Sequence, residues 1–153
     1  MNYFQISPQV AGTLGDGSVV ADYAERPLRI SKLQFELTSW PEDDLIVAMI
    51  QGYAGTTRLA EAITAAGLTG IEFGSLEMIE GDQFWIKKKH HQGETIPEYC
   101  WFRFTGTHCV DDFGLIPLPV FPSLVVSDRA LTLLRSFKFT NADVYDFDIH
   151  AQR

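Results

Sequence analysis

Ser123 to Phe147, S-L-V-V-S-D-R-A-L-T-L-L-R-S-F-K-F-T-N-A-D-V-Y-D-F, reads as strand, capped helix, turn and strand without a break, and it constrains the fold more than any other stretch. Leu124 to Val126 is a short run suited to a strand, Ser127 can accept from the first free helical amides, and Asp128 puts a negative charge in the first turn. Ala130, Leu131, Leu134 and Phe137 recur at three- and four-residue spacing, so the helix, over about 127–137, has one apolar face. Arg135 and Lys138 suit its C-terminus, and Thr140-Asn141 is turn chemistry. Tyr145, Phe147 and Ile149 then alternate with Asp146, Asp148 and His150, which predicts a strand with one dry face and one acidic face.

The same arrangement occurs earlier, in Thr56 to Phe73, T-T-R-L-A-E-A-I-T-A-A-G-L-T-G-I-E-F, seventy-one residues upstream. Ser127 falls on Thr56 as the cap, Arg129 on Arg58, Leu134 on Ile63, Phe139 on Leu68, Thr140 on Thr69, Asn141 on Gly70 and Asp143 on Glu72. Asp43-Asp44-Leu45 precedes the first unit as Asp111-Asp112-Phe113 precedes the second, with three residues' difference in spacing. Internal duplication and convergence of two capped helices both account for this; duplication requires two superposable, pseudo-twofold units.

A chain of 153 residues with 46% hydrophobic content fits one domain with a proper core, built as one piece or as two halves of about 1–80 and 81–153. The net charge of −8 argues against nucleic acid or an anionic membrane as principal partner and favours a basic one. No apolar run approaches the roughly 20 residues of a membrane span, and Met1-Asn2-Tyr3-Phe4 has no export-signal character, so the expectation is a cytoplasmic protein. Cys100 and Cys109 are too few for a disulfide framework and read as buried thiols.

Along the chain, Tyr3 to Ser7 and Leu28 to Leu37 read as strands, and Gly12 to Ser18 as a polar loop with a tight turn at Asp16-Gly17 rather than a phosphate loop. Glu42-Asp43-Asp44 reads as a solvated turn or helix start, and Leu45 to Ile50 as the strand before the first helix. That helix, about 57–66, is closed by Gly67. Gly70 to Ile79 reads as one strand bulged at Gly74. Lys87 to Glu94 is the one basic patch, read as a solvated loop, with contact to an acidic group or a His90–His91 metal site as the alternatives. Tyr99 to Phe104 should be a central strand with Cys100, Phe102 and Phe104 on one face and Tyr99, Trp101 and Arg103 on the other. His108, Cys109, Asp111 and Asp112 crowd metal-ligand types together, although an Asp pair capping backbone amides is the plainer account. Ile116 to Pro122 reads as an extended connector.

Trp40 with Asp43-Asp44-Leu45, Asp111-Asp112-Phe113-Gly114 and the box Leu124-Val125-Val126-Ser127-Asp128-Arg129-Ala130-Leu131 together resemble uncharacterised bacterial proteins related to the immunity proteins of polymorphic toxin systems. The resemblance implies a small cytoplasmic protein, encoded beside a toxin, that neutralises it by binding. Some relatives carry paired C-x-x-C-G metal knuckles; this chain has none, and the motif defines no contact residue.

The expectation is therefore an α+β domain with a mixed or largely antiparallel sheet of about six to eight strands and two main helices. Its expected role is non-enzymatic, with no cofactor, inhibiting a basic toxin domain through an acidic face that includes Asp43, Asp44, Asp146 and Asp148. Two rivals remain: a metal-dependent hydrolase using His108, Cys109, Asp111 and Asp112, and a homo-oligomeric structural protein.

Overall fold

Short runs, several of them buried along their whole length, make strands the commonest element of this chain, as a computed structural model describing residues 2–22, 24, 29–49, 51–116 and 123–147 shows. From the N-terminus come β1 (Tyr3–Ser7), β2 (Gln9–Leu14), the short pair β3 (Val19–Val20) and β4 (Ile30–Lys32), β5 (Gln34–Leu37), β6 (Leu45–Ala48) and β7 (Tyr53–Thr56). Helix α1 (Thr57–Ala65) leads to β8 (Ile71–Gly74) and β9 (Glu77–Glu80), then α2 (Asp82–Lys88), a 3-10 turn at Lys89–His91 and β10 (Tyr99–Phe104). The chain continues through β11 (Phe113–Ile116), β12 (Ser123–Ser127), α3 (Asp128–Arg135) and β13 (Asp143–Phe147). The fold is α+β, a single domain of mixed and antiparallel sheets. Among the described residues no helix is long and apolar enough to cross a membrane.

One sheet has seven strands in the order β8-β10-β7-β6-β2-β5-β9, a second has four in the order β11-β12-β1-β13, and β3 and β4 pair with each other as a third. Side-chain alternation gives the larger sheet two dry faces. Leu45 and Val47 enter a core shared with Ile6, Leu124, Val126 and the buried sides of α1 and α3. Ile46 and Ala48 enter a second core with Phe35, Leu37 and Ala54, covered by Phe84 of α2.

The two predicted units recur with matching register. β10 lies between β7 and β8, and β1 lies between β12 and β13. Tyr99 stands opposite Thr56 and Phe102 opposite Phe73 in the first unit. Tyr3 stands opposite Ser127 and Ile6 opposite Val144 in the second, the same positions once the seventy-one-residue offset is applied. The units are thus not divided by a cut near residue 80: the first draws its inner strand from residues 99–104, the second from residues 3–7.

Several expectations are corrected. Gly70 to Ile79 is not one bulged strand but β8 and β9, which lie on opposite edges of the seven-stranded sheet. Lys87 to Glu94 is not a plain loop: α2 runs through Lys88 and the 3-10 turn follows, because Phe84 anchors this segment in the second core. The first unit's equivalent of β12 is β7, whereas β6 corresponds to β11; four buried residues, Tyr53-Ala54-Gly55-Thr56, give no alternating signal. In β13 Val144 packs on the core while Tyr145 is 56% exposed, so the expected dry face is out of phase; Asp148, Ile149 and His150 lie outside the described residues. Pro117 to Pro122 of the expected connector, together with Leu28 and Ile50, lie outside them too.

Candidate functional site

The first acid pair reads in the sequence as a solvated turn or helix start and the second as a pair capping backbone amides, with a metal cluster as its rival; in the structure Asp111 and Asp112 do accept backbone amides, from Thr107 and Thr69, and Asp44 and Asp112 are buried and lock helix starts. Asp44 and Asp112 are 2% and 4% exposed. Asp44 Oδ1 accepts from Thr56 Oγ1 at 2.5 Å and from Arg58 Nε at 2.9 Å, while Oδ2 accepts from Arg58 Nη2 at 2.9 Å. Asp112 repeats the pattern, Oδ1 accepting from Ser127 Oγ at 2.6 Å and Arg129 Nε at 2.8 Å, and Oδ2 from Arg129 Nη2 at 2.6 Å. Each hydroxyl in turn accepts the third helical amide, Leu59 or Ala130, at 3.3 Å. One hydroxyl thus joins a buried carboxylate to a helix N-terminus, and the bidentate arginine balances the charge.

Each node also grips the other unit. Asp112 Oδ2 accepts from the Thr69 amide at 2.9 Å, just after α1. Asp44 Oδ2 accepts from the Lys138 amide at 2.8 Å, just after α3, and Asp43 accepts from the Asn141 amide at 2.8 Å and its side-chain amide at 3.1 Å. Gly70, the counterpart of Asn141, has φ +90°, and a Cβ there would lie 2.8 Å from Asp111 Cβ and 2.2 Å from the Phe113 carbonyl oxygen, a conformation and a space that exclude a side chain.

Hydrogen bonding from Arg129, outweighing burial and aided by Ser127 and the Thr69 amide, holds the Asp112 carboxyl far below the usual carboxylate range. For Asp44 burial pushes upward, but Arg58, Thr56 and the Lys138 amide prevail and the pKa is lowered.

The side chains of the rival metal-type reading, His108, Cys109, Asp111 and Asp112, go separate ways. Asp112 is held by Arg129 and Ser127, Asp111 accepts from the Thr107 amide at 2.8 Å, and His108 stands edge-on to Phe147 with ring centres 6.3 Å apart. Cys109 has φ 63° in the intervening turn, and burial pushes the Cys109 and Cys100 thiols up, away from the nucleophilic thiolate. Among the described residues no three His, Cys, Asp or Glu side chains come together as a metal site. In the basic segment His91 stacks on Trp40 at 4.3 Å and pairs with Glu94, and Lys88 Nζ lies 4.7 Å above the Trp85 ring.

Of the expected partner contacts, Asp43 and Asp44 are buried and internally bonded, Asp146 is exposed on β13, and Asp148 lies outside the described residues. Exposed acid beside aromatic recurs on the two equivalent edge strands: Asp143, Tyr145 and Asp146 on β13, Glu72 and Phe73 on β8. The sequence offset aligned Arg58 with Arg129 and Thr56 with Ser127; what it missed was the receiving carboxylate, for which the upstream acid pairs were the signal.

Comparison with protein-family models, curated proteins and solved structures returns no match.

Proposed function

We propose that this chain is a non-enzymatic binding protein, an immunity-type inhibitor that neutralises a basic bacterial toxin domain in the cytoplasm. The observation that carries the reading is the distribution of acid. Asp44 and Asp112 are neutralised internally, while Asp143 and Asp146 stay in solvent beside exposed Tyr145 on a strand that, among the described residues, pairs on one side only. An acidic edge steers a cationic partner, and the open row of backbone groups can accept one of its strands. The resemblance of the Asp-Asp and Leu124–Leu131 boxes to immunity proteins points the same way.

The test is co-purification with the product of the neighbouring gene, together with growth rescue of cells expressing that product. The expected result is a stable complex whose association rate falls with salt and with the double reversal Asp143→Lys, Asp146→Lys. Neither complex nor rescue would overturn the reading.

A further inference from the structure

Helix α2 is anchored by a single buried ring, Phe84, while the next two residues, Trp85 and Ile86, are 54% and 66% exposed. The backbone stays helical through Lys89, at φ −59° and ψ −26°, which sets Lys89 one turn on from both of them. Lys88 Nζ lies over the Trp85 ring. The surface is thus an apolar pair bordered by cations, three of the chain's twelve Lys and Arg in consecutive positions.

Two of those cations are held: Lys87 donates to Ser39 Oγ at 2.9 Å and Lys88 to Glu80 at 3.1 Å. The side chains of Lys89 and His90 make no hydrogen bond or ion pair among the described residues. Asp82, in the first turn, is the acid on the same helix. Single exposed apolar side chains need no account, but an adjacent pair among cations, in a chain of net charge −8, fits an acidic and partly apolar partner.

The molecule itself bears such a surface. On β13 Asp143 and Tyr145 share one face by alternation, with Tyr145 56% exposed, and Asp146 is exposed on the other. The two surfaces cannot meet within one chain: Val144 of β13 packs against the core on one face of the seven-stranded sheet, and Phe84 of α2 lies in the core on the opposite face.

We propose that α2 of one molecule docks along the β13 edge of a second copy, with Lys89 beside Asp143 and Asp146, and Trp85 and Ile86 against Tyr145. Because the two contacting surfaces differ, the interface is head-to-tail, and each copy keeps one open edge or one open helix face for the next. The contact is small and its charges lie in solvent, so association is weak and falls with salt. It uses the edge strand also offered to a toxin, but does not depend on that reading.

The test is sedimentation velocity of the full chain over a wide range of concentration, at low and at high salt. Expected is a weight-average sedimentation coefficient that rises with concentration, and rises less at high salt. Lys89→Glu removes no internal contact and should lower the association constant about tenfold with the urea midpoint unchanged. The double variants Trp85→Ala, Ile86→Ser and Asp143→Asn, Asp146→Asn should each stay monomeric alone. Mixed, they should form a one-to-one complex that grows no further, since the first keeps the β13 edge and the second the α2 face. A chain monomeric at every concentration, association indifferent to these substitutions, or a mixture that forms no complex would overturn the proposal. No toxin enters the experiment, so its outcome bears on this contact alone.

Discussion

Asp112 is ionised at 4% exposure because every lone pair it presents is answered: by Arg129 twice, by Ser127 and by the Thr69 amide. A carboxylate removed from water without such partners would protonate instead. Since its folded pKa lies below the unfolded value, its contribution to stability is complete above about pH 4 and is lost as pH falls through the folded pKa. Asp112→Asn keeps the shape but removes the charge, leaving Arg129 without its counter-ion. It should cost about 2–4 kcal/mol in urea unfolding at pH 7. Its stability should also fall less steeply than wild type as pH drops below about 4, so that the two curves converge. Parallel curves would mean that Asp112 is not the group titrating.

At the level of strands and helices, the two units share a register but divide side-chain volume differently. A Cβ on Gly55 would lie 2.1 Å from the Phe102 ring, so the large ring is accommodated by an absent side chain. At the equivalent positions stand Val126 and Ile6, a medium pair in place of a large and a null one. Gly55→Val alone should overpack and cost about 1–3 kcal/mol; combined with Phe102→Ile it should recover most of the loss, as a double-mutant cycle by urea denaturation would measure. Additive costs would show that the positions are not interchangeable. The same comparison explains what the sequence disclosed. Thr56 and Ser127 were readable as caps because capping is local, and the Tyr99 to Phe104 faces because alternation is local. The destination of Asp112 was not readable, since Thr69 is 43 residues away and the bond exists only once the units meet. Nor was the break between β8 and β9, whose fate on opposite edges is decided by pairing partners rather than by the peptide itself. Helix α2 was masked by its run of lysines, and only Phe84, buried beneath it, reveals why it folds.

Across the whole molecule, the order of strands in space is not their order in sequence, and the N-terminal strand bears the consequence. Each unit needs an inner strand between its capped strand and the strand after its helix; β10 follows the first unit in the chain, whereas β1 reaches the second from far upstream. Without β1, strands β12 and β13 have no hydrogen-bonded link, Leu124 and Val126 lose Ile6, and the core shared by both sheets opens on one side. Because α1 and α3 pack into that shared core and the acid nodes cross between units, the damage cannot stay local. Deleting residues 2–7 should therefore abolish the cooperative urea transition and the near-ultraviolet dichroism of the whole chain, rather than remove one step of it. A synthetic peptide of residues 1–8, added in excess, should restore both by re-forming the inner strand, with a midpoint that rises with peptide concentration. A truncated chain that kept the wild-type midpoint would show that the second unit closes without β1, and that the matching registers are not what holds the two units together.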